Sequence, residues 1–509
     1  MEPIIGIDFG NFNSFPCFIQ DFDPGTRMGG IVHDLLPLKS VDGIPSVYFY
    51  SKRIGKTLCG EEAVTNKAKP EQNRLRYLKR HLGQSVQLDD RTISYNDAIT
   101  EVVQHCVRVA NKRLEAGWMV STNLISLSYP ATYTFAQRQQ LIELVEKATL
   151  EDGRKLKVYG TIAEPAAAAL DYLAEFAKKD SDTTVLTYDL GGGTFDLGLV
   201  SVYPKGRQRR NGGIYYYDII NTSGIADLGG AEFDDAMYEL VTKKISIPLD
   251  AQVKAILKNA CETAKVELTD MEDTEIELFT EHGRINVNIT RSEFEKASEH
   301  LIRKTVEATK QMLNSHQNQR PDIILLTGGA SQMPMVMKEL EKALPNYKGK
   351  IKTYKPSMSI AYGAARYGTE EKDNSAGTVV QRLNNDIGIK FYEKAESDVL
   401  YISAYLKAGT EIPCESVFMS SSTRAVQSSS TFNVYEANKP NPNEYNCETD
   451  YTHILKVNLS FGKEVLIGHE CETKLVVDNR GVLTIHAREK ENPSNIVQNQ
   501  VVLMNLSTN

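Results

Sequence analysis

Residues 185–196 read Val-Leu-Thr-Tyr-Asp-Leu-Gly-Gly-Gly-Thr-Phe-Asp. Three glycines after an apolar, β-compatible run let backbone N–H groups approach a phosphate that any side chain would block. Asp189 and Asp196 put carboxylates beside that phosphate, where Mg²⁺ or an attacking water could be held. A related string opens the chain: Ile4-Ile5-Gly6-Ile7-Asp8-Phe9-Gly10-Asn11-Phe12-Asn13. Two such strand–Asp–Gly turns predict two similar halves gripping one nucleotide, with ATP expected. Either turn taken singly is as readily an ordinary tight turn. The set raises the expectation: Asp227-Leu228-Gly229-Gly230 leads into Phe233 and Asp234, and Leu326-Thr327-Gly328-Gly329-Ala330-Ser331 follows another apolar strand. Glycines there let a flat base or ribose pack directly on backbone.

The elements that must position these residues alternate between strand and helix. A strand and a Gly turn lie within residues 1–50, with Asp42-Gly43 as a hairpin signal. Helical patterns cover 95–117 and 135–150 around the strand-like 124–128. Glu164-Pro165 opens an Ala-rich helix, since Pro suits the first turn. Strands at 185–203 and 214–221 precede helices at 231–244, 250–267 and 291–315, and a strand at 323–327. This alternation indicates an α/β architecture through about residue 365. Residues 370–377 are polar and Gly-containing, a linker signal. Beyond them, short alternating runs at 387–392, 398–406, 431–436, 453–460, 473–477 and 482–487 predict a separate all-β unit over 385–505, with a hairpin at Asp478-Asn479-Arg480-Gly481.

The chain has 509 residues, 41% apolar and 24% charged, which suits several soluble globular units. A net charge of −8 opposes a general nucleic-acid binder. The basic run Lys205–Arg210 reads as a solvated loop. Seven scattered cysteines without C-x-x-C spacing indicate neither zinc nor a disulfide framework. With no basic leader and no membrane-length apolar run, the expectation is a cytoplasmic protein that engages neither membrane nor nucleic acid.

In order and spacing these motifs resemble the seventy-kilodalton heat-shock (DnaK-type) chaperone family, related to actin and the sugar kinases. The resemblance includes Thr161–Leu170 and Ile360-Ala361-Tyr362-Gly363-Ala364-Ala365. It implies an α/β two-lobed actin-like ATPase domain over 1–369, a linker over 370–384, and an all-β sandwich peptide-binding domain over 385–509. Residues 500–509 are too few for the family's helical lid, so a member without the lid is expected. It further implies that Asp8 and Asp189 hold Mg²⁺ through its waters, and that Lys79 contacts phosphate and positions the attacking water. Glu164 and Asp196 orient or polarise that water, and Thr194 bonds the γ-phosphate. Gly10, Asn11, Phe12, Gly191, Gly192 and Gly193 line the phosphates. Gly229, Gly230, Gly328, Gly329, Ala330 and Ser331 line the nucleoside side, Glu262 and Lys265 the ribose, and Thr269 the base. Pro130 and Arg138 relay nucleotide state between domains. Ile402, Tyr405 and Phe432 line a groove for an extended peptide. J-domain co-chaperones and exchange factors are the implied partners, and ATP hydrolysis to ADP the implied slow activity.

The residues alone also admit plainer roles. Lys79 and Arg80 suit a solvated helix face, and Glu164 a helix N-terminus. Glu262 and Lys265 suit a surface ion pair. Pro130 suits a strand end and Arg138 an exposed position. Ile402, Tyr405 and Phe432 suit the inward face of a sandwich. The chain also departs from the family. Asn11 and Phe12 replace two threonines of the first turn, and Val266 and Gln332 replace two arginines that sandwich adenine, removing cation–π stacking. Weaker or less adenine-selective binding is expected. Ser430 stands where the central peptide pocket is usually apolar, and Thr378–Leu383 matches the family linker poorly. The alternative expectation is a nucleotide-binding adaptor with negligible turnover. A sugar kinase on the same core is disfavoured by the β domain.

Overall fold

The computed structural model describes residues 2–23, 29–37, 43–65, 68, 70–133, 135–178, 181–203, 216–280, 283–373, 379–380, 382–383, 385–395, 397–424, 426–437, 442–478 and 481–502. The chain is mixed α/β with several sheets and divides into two compact units. One comprises Met1–Tyr133, Gln140–Tyr217 and Thr222–Thr378. The other comprises Thr134–Gln139, Asp218–Asn221 and Val379–Asn509.

The first unit contains two sheets with one topology. Each begins with an antiparallel hairpin: Ile5–Phe9 with Asn13–Asp23, and Thr183–Leu190 with Phe195–Tyr203. Each then adds a parallel strand on the far side of the first, Leu124–Tyr129 in one sheet and Ile323–Thr327 in the other. A further parallel strand follows in each, Lys157–Ala163 and Ile351–Thr353. The strands read as near-continuous apolar runs because both faces are covered; Thr183–Leu190 and Phe195–Tyr203 are buried throughout. Helices Glu164–Phe176 and Ser359–Asp373 supply much of that cover. They meet so closely that a Cβ on Gly363 would collide with the Ala167 backbone, and Ser359–Asp373 lies so close on the strand Ile5–Phe9 that a Cβ on Gly6 would meet Ala365 Cα at 2.6 Å. Small residues are therefore required at this crossing, and Ala166 to Ala169 are fully buried.

The second unit holds two four-stranded antiparallel sheets. One has the order Leu400–Leu406, Ile387–Tyr392, Val426–Ala437, Tyr451–Leu466; the other has Cys414–Ser421, Glu470–Val477, Val482–Glu489, Ile496–Val502. Glu470–Val477 and Val482–Glu489 alternate buried with half-buried residues, the period-2 pattern of a one-sided sheet. Ile389, Val434 and Leu459 from one sheet share a buried cluster with Leu475, Leu483 and Ile485 from the other.

Helices at Tyr95–Trp118, Gly230–Thr242, Ala251–Asp270 and Arg291–Ser315 fall where periodicity places them. Sequence pattern alone does not reveal the hairpin Asp273–Thr280 with Gly283–Thr290, nor the strands Cys414–Ser421 and Ile496–Val502. The helix Ser359–Asp373 runs past residue 369; Glu370 is buried and Lys372 sits in the last turn, favourable for a helix C-terminus. Of the linker and turn signals, Asp42, 374–378, Gln381, Asn384, Asn479 and Arg480 lie outside the described residues, as does 205–210.

Candidate nucleotide site

Four buried acids and one buried lysine meet at the turn ends of the two hairpins. Asp8 lies near the end of Ile5–Phe9 and accepts a hydrogen bond from Ser128 Oγ at 3.2 Å. Asp189 and Asp196 are direct cross-strand partners, with Thr327 beside Asp189 on the parallel side. Glu164 begins its helix, with Pro165 next, where the helix dipole favours a carboxylate. Lys79 stands in the short 3₁₀ turn Leu78–His81, and its Nζ donates to Glu164 Oε1 at 2.6 Å with both side chains buried. Tyr133 OH donates to the Lys79 carbonyl at 3.1 Å, fixing that turn.

One lysine cannot neutralise four acids in a buried site. Burial, followed by the Glu164 charge, pushes Asp8 and Asp196 each up to about 7. Burial and the charges of Glu164, Asp196 and Asp8 hold Asp189 well above the usual carboxylate range. Asp189 Oδ1 and both Asp196 oxygens are buried without a hydrogen-bond partner; Thr194 and the Ala131 backbone lie near Asp196 but do not reach bonding geometry. Carboxylate oxygens of Glu164, Asp189 and Asp196 lie within 4.8 Å of one another. Hard oxygens of this kind, those of Asp189 and Asp196 unpartnered, suit a divalent cation. Asp8 and Asp189 come from opposite hairpins, and it is Glu164 and Asp196 that complete the group around Asp189.

The glycine turns close around these acids. Gly191 N–H donates to Thr194 O at 3.0 Å, closing the second hairpin. Gly230 and Ala231 N–H donate to Gly191 O and Gly192 O, each at 2.9 Å, stitching the third turn to the second. Gly229 could carry no side chain there, since a Cβ would meet Gly193 backbone at 2.7 Å. Gly328 has φ +79, and a Cβ on it would meet Asp189 Oδ1 at 2.5 Å. Ser331 Oγ donates back to Gly328 O at 2.7 Å; Ala330 is buried, and a Cβ on Gly329 would meet nothing within 4 Å. In the first turn a Cβ on Gly10 would collide with Asn13 O. Asn11 is buried with Oδ1 unpartnered, and the Phe12 ring carries the Arg76 guanidinium 5.3 Å from its centroid.

Glu262 and Lys265 do not pair with one another. Lys265 Nζ bridges Asp234 at 2.7 Å and the Gly230 carbonyl at 3.2 Å, while Glu262 faces Arg76 at 3.8 Å. The Thr269 carbonyl accepts from Arg291 at 3.4 Å. Val266 is 61% exposed, and Gln332 is also exposed. Pro130 is buried, and Arg138 is buried rather than exposed. In the second unit Phe432 packs in the sandwich core, and Ile402 in a separate cluster with Ala437, Cys447 and Tyr451. Tyr405 is half-buried and stacks on Phe418, ring centroids 3.8 Å apart. Phe418 and Phe432 belong to one core cluster, against which Tyr405 packs, while Ile402 lies in another, so the three share no single lining.

Several residues at the site carry weak sequence signals. Ser128, Asp234 and Arg76 are ordinary strand, helix and loop residues whose role is visible only in three dimensions. Arg80 and Glu232 are the clearest of these. Arg80 follows Lys79 directly, and Glu232 sits three residues past the cap residue Gly229, a position where glutamate reaches back to the cap N–H, here at 2.7 Å.

All seven cysteines are free thiols. Among the described residues no helix is long and apolar enough to cross a membrane. A family model described as Hsp70 protein matches residues 89–505, which takes in Glu164, both acids of the second hairpin, the later glycine turns and the β unit, while Asp8, the first turn and Lys79 precede the match. On that match, spanning most of its length, the chain belongs to the Hsp70 protein family.

Proposed function

We propose that the chain is an ATP-dependent chaperone that binds and slowly hydrolyses ATP between two actin-like lobes and couples this to the binding of unfolded or extended peptide segments by its β unit. The buried Lys79–Glu164 pair, set beside unpartnered oxygens of Asp189 and Asp196, is the observation that carries this reading. Mg²⁺ held by Asp8 and Asp189 would compensate the triphosphate charge. Lys79 contacts phosphate and, with Glu164, orients the attacking water. Asp196, whose carboxyl titrates near neutrality, polarises that water. Thr194 and the glycine turns hold the γ-phosphate in line. Family membership supports peptide binding and, as partners, J-domain co-chaperones and exchange factors. Tyr405 is the groove candidate that reaches the surface.

Single-turnover hydrolysis by the purified chain tests the reading, with Lys79→Ala as control. Turnover in the parent that is lost in the control supports it. A specific feature favours a second reading, an adaptor that binds nucleotide without turnover: Phe12 occupies the first phosphate turn under Arg76, and neither Val266 nor Gln332 can stack on adenine as arginine does. Measurable Mg-ATP binding without turnover would select the adaptor and withdraw the catalytic roles of Lys79, Glu164 and Asp196.

A further inference from the structure

Arg80 crosses the site. From the 3₁₀ turn that holds Lys79, its Nε donates to the Gly193 carbonyl at 3.0 Å, and Nη2 donates to the same oxygen. Nη1 and Nη2 also grip both carboxylate oxygens of Glu232, each at 2.8 Å. Glu232 Oε2 in turn accepts from Gly229 N–H at 2.7 Å. One planar fork therefore ties together the last glycine of the second phosphate turn and the start of the helix Gly230–Thr242. A lysine, a point donor on a flexible stem, has no such fork.

Carbonyl and N–H of a trans peptide point in opposite directions. A guanidinium fixed on the Gly193 oxygen therefore also fixes the direction of the Thr194 N–H, turning it away from Arg80. Gly193 is free to be held so only because it lacks a side chain: a Cβ would meet Arg80 Nε at 3.0 Å and collide with the Asn11 amide. We propose that Arg80, anchored by Glu232, is a positioning residue that sets the Gly193–Thr194 peptide plane so that the Thr194 N–H is presented to the terminal phosphate of ATP. The inference rests on the nucleotide reading above, and adds to it a residue that need not touch the nucleotide.

Calorimetric affinities for Mg-ATP, Mg-ADP and adenosine, measured on the parent, Arg80→Lys, Glu232→Gln and the double variant, test it. Arg80→Lys keeps the charge and loses the fork. The expected result is about a tenfold loss for Mg-ATP, corresponding to about 1.4 kcal/mol, a smaller loss for Mg-ADP and none for adenosine. Glu232→Gln should reproduce it, and the double variant should be no worse than the worse single one. Unchanged Mg-ATP affinity in Arg80→Lys overturns the inference while leaving the nucleotide reading intact. Equal losses for Mg-ATP and adenosine overturn it too, since they report general collapse; circular-dichroism melts of each variant identify that case. A parent that binds none of the three ligands removes the nucleotide reading and the inference with it.

Discussion

The two hairpins of the first unit share strand order, register and an acid at the same place, yet their turns differ. The second turn is Gly191-Gly192-Gly193-Thr194, stitched to the third turn by two backbone hydrogen bonds at 2.9 Å and gripped by Arg80. The first turn is Gly10-Asn11-Phe12, where one side chain is buried with an unpartnered oxygen and the other is an aromatic ring under a guanidinium. Topology thus preserves where the acids stand, while the turns have diverged in what they can offer a phosphate. The second turn presents backbone; the first presents side chains. The acid opposite each strand differs as well: Asp189 faces Asp196 across the ladder, and Asp8 faces Phe15.

That last difference predicts the largest effect. Asp196 has two buried, unpartnered oxygens in the midst of Glu164 and Asp189, so under the proposed function Asp196→Asn should remove the group that polarises the attacking water. Single-turnover kcat should fall by about 10²-fold or more, the usual contribution of a positioned acid–base group. Phe15→Leu, at the matching place of the first hairpin, should change kcat by less than about threefold, a shift worth under 1 kcal/mol. Comparable losses in the two variants would break the comparison.

Glycine replacements sharpen it further. A Cβ on Gly193 collides with Asn11 and crowds Arg80, whereas one on Gly191 meets only Thr194 O, at an ordinary 3.6 Å. Gly193→Ala should therefore destabilise the ligand-free chain by about 1–3 kcal/mol, the usual cost of overpacking, and Gly191→Ala by less than about 0.5 kcal/mol. Thermal melts without nucleotide separate the two. Equal melts would mean that the two hairpins do not approach as closely as Asn11 and Gly193 indicate. Smaller again is the effect of Phe12→Thr, which restores a hydroxyl to the first turn and frees Arg76. Mg-ATP affinity should rise about threefold, within the range of a single hydrogen bond, and a fall would show that the ring itself contributes to the site.

Much of this arrangement was legible in residue types. Asp8, Asp189 and the glycines around them are placed by apolar strands followed by Gly, and a strand needs nothing more to end at a phosphate-sized turn. Glu164 was legible because Pro165 marks the helix start. What could not be read is pairing across distance. Arg80 with Glu232, Lys265 with Asp234 and Arg76 with Glu262 join residues 152, 31 and 186 positions apart (232 − 80, 265 − 234 and 262 − 76), and no local pattern distinguishes them from solvated charges. The strands Cys414–Ser421 and Ile496–Val502 carry little apolar alternation because few of their residues face the core: Phe418 alone is buried in the first, and none of residues 496–501 in the second. Ile402 and Phe432 show the converse, where a family position is legible but its setting depends on which face the sandwich turns inward.

The last effect concerns one acid from each hairpin, Asp8 in the first and Asp196 in the second. Asp8 and Asp196 are both pushed up to about 7, mainly by burial and the Glu164 charge. In the unfolded chain each loses its proton near pH 4, while the folded, metal-free chain keeps it to about pH 7. Across that window the folded state binds more protons, so stability is fully present below about pH 4 and declines as pH rises through about 7. Asn carries no titrating proton. The melting temperature of Asp8→Asn or Asp196→Asn relative to the parent should therefore climb as pH rises from about 5 to about 8 in chelator, by a few degrees and by similar amounts. Added Mg²⁺ should flatten the parent's decline, because the cation takes the place of the protons on these carboxylates. A difference that stays constant with pH would mean that the acids share their charge with Lys79 more fully than one buried amine among four carboxyls allows. Unequal slopes would place the two hairpins in different electrostatic settings, and the divergence of their turns would then extend to the acids beneath them.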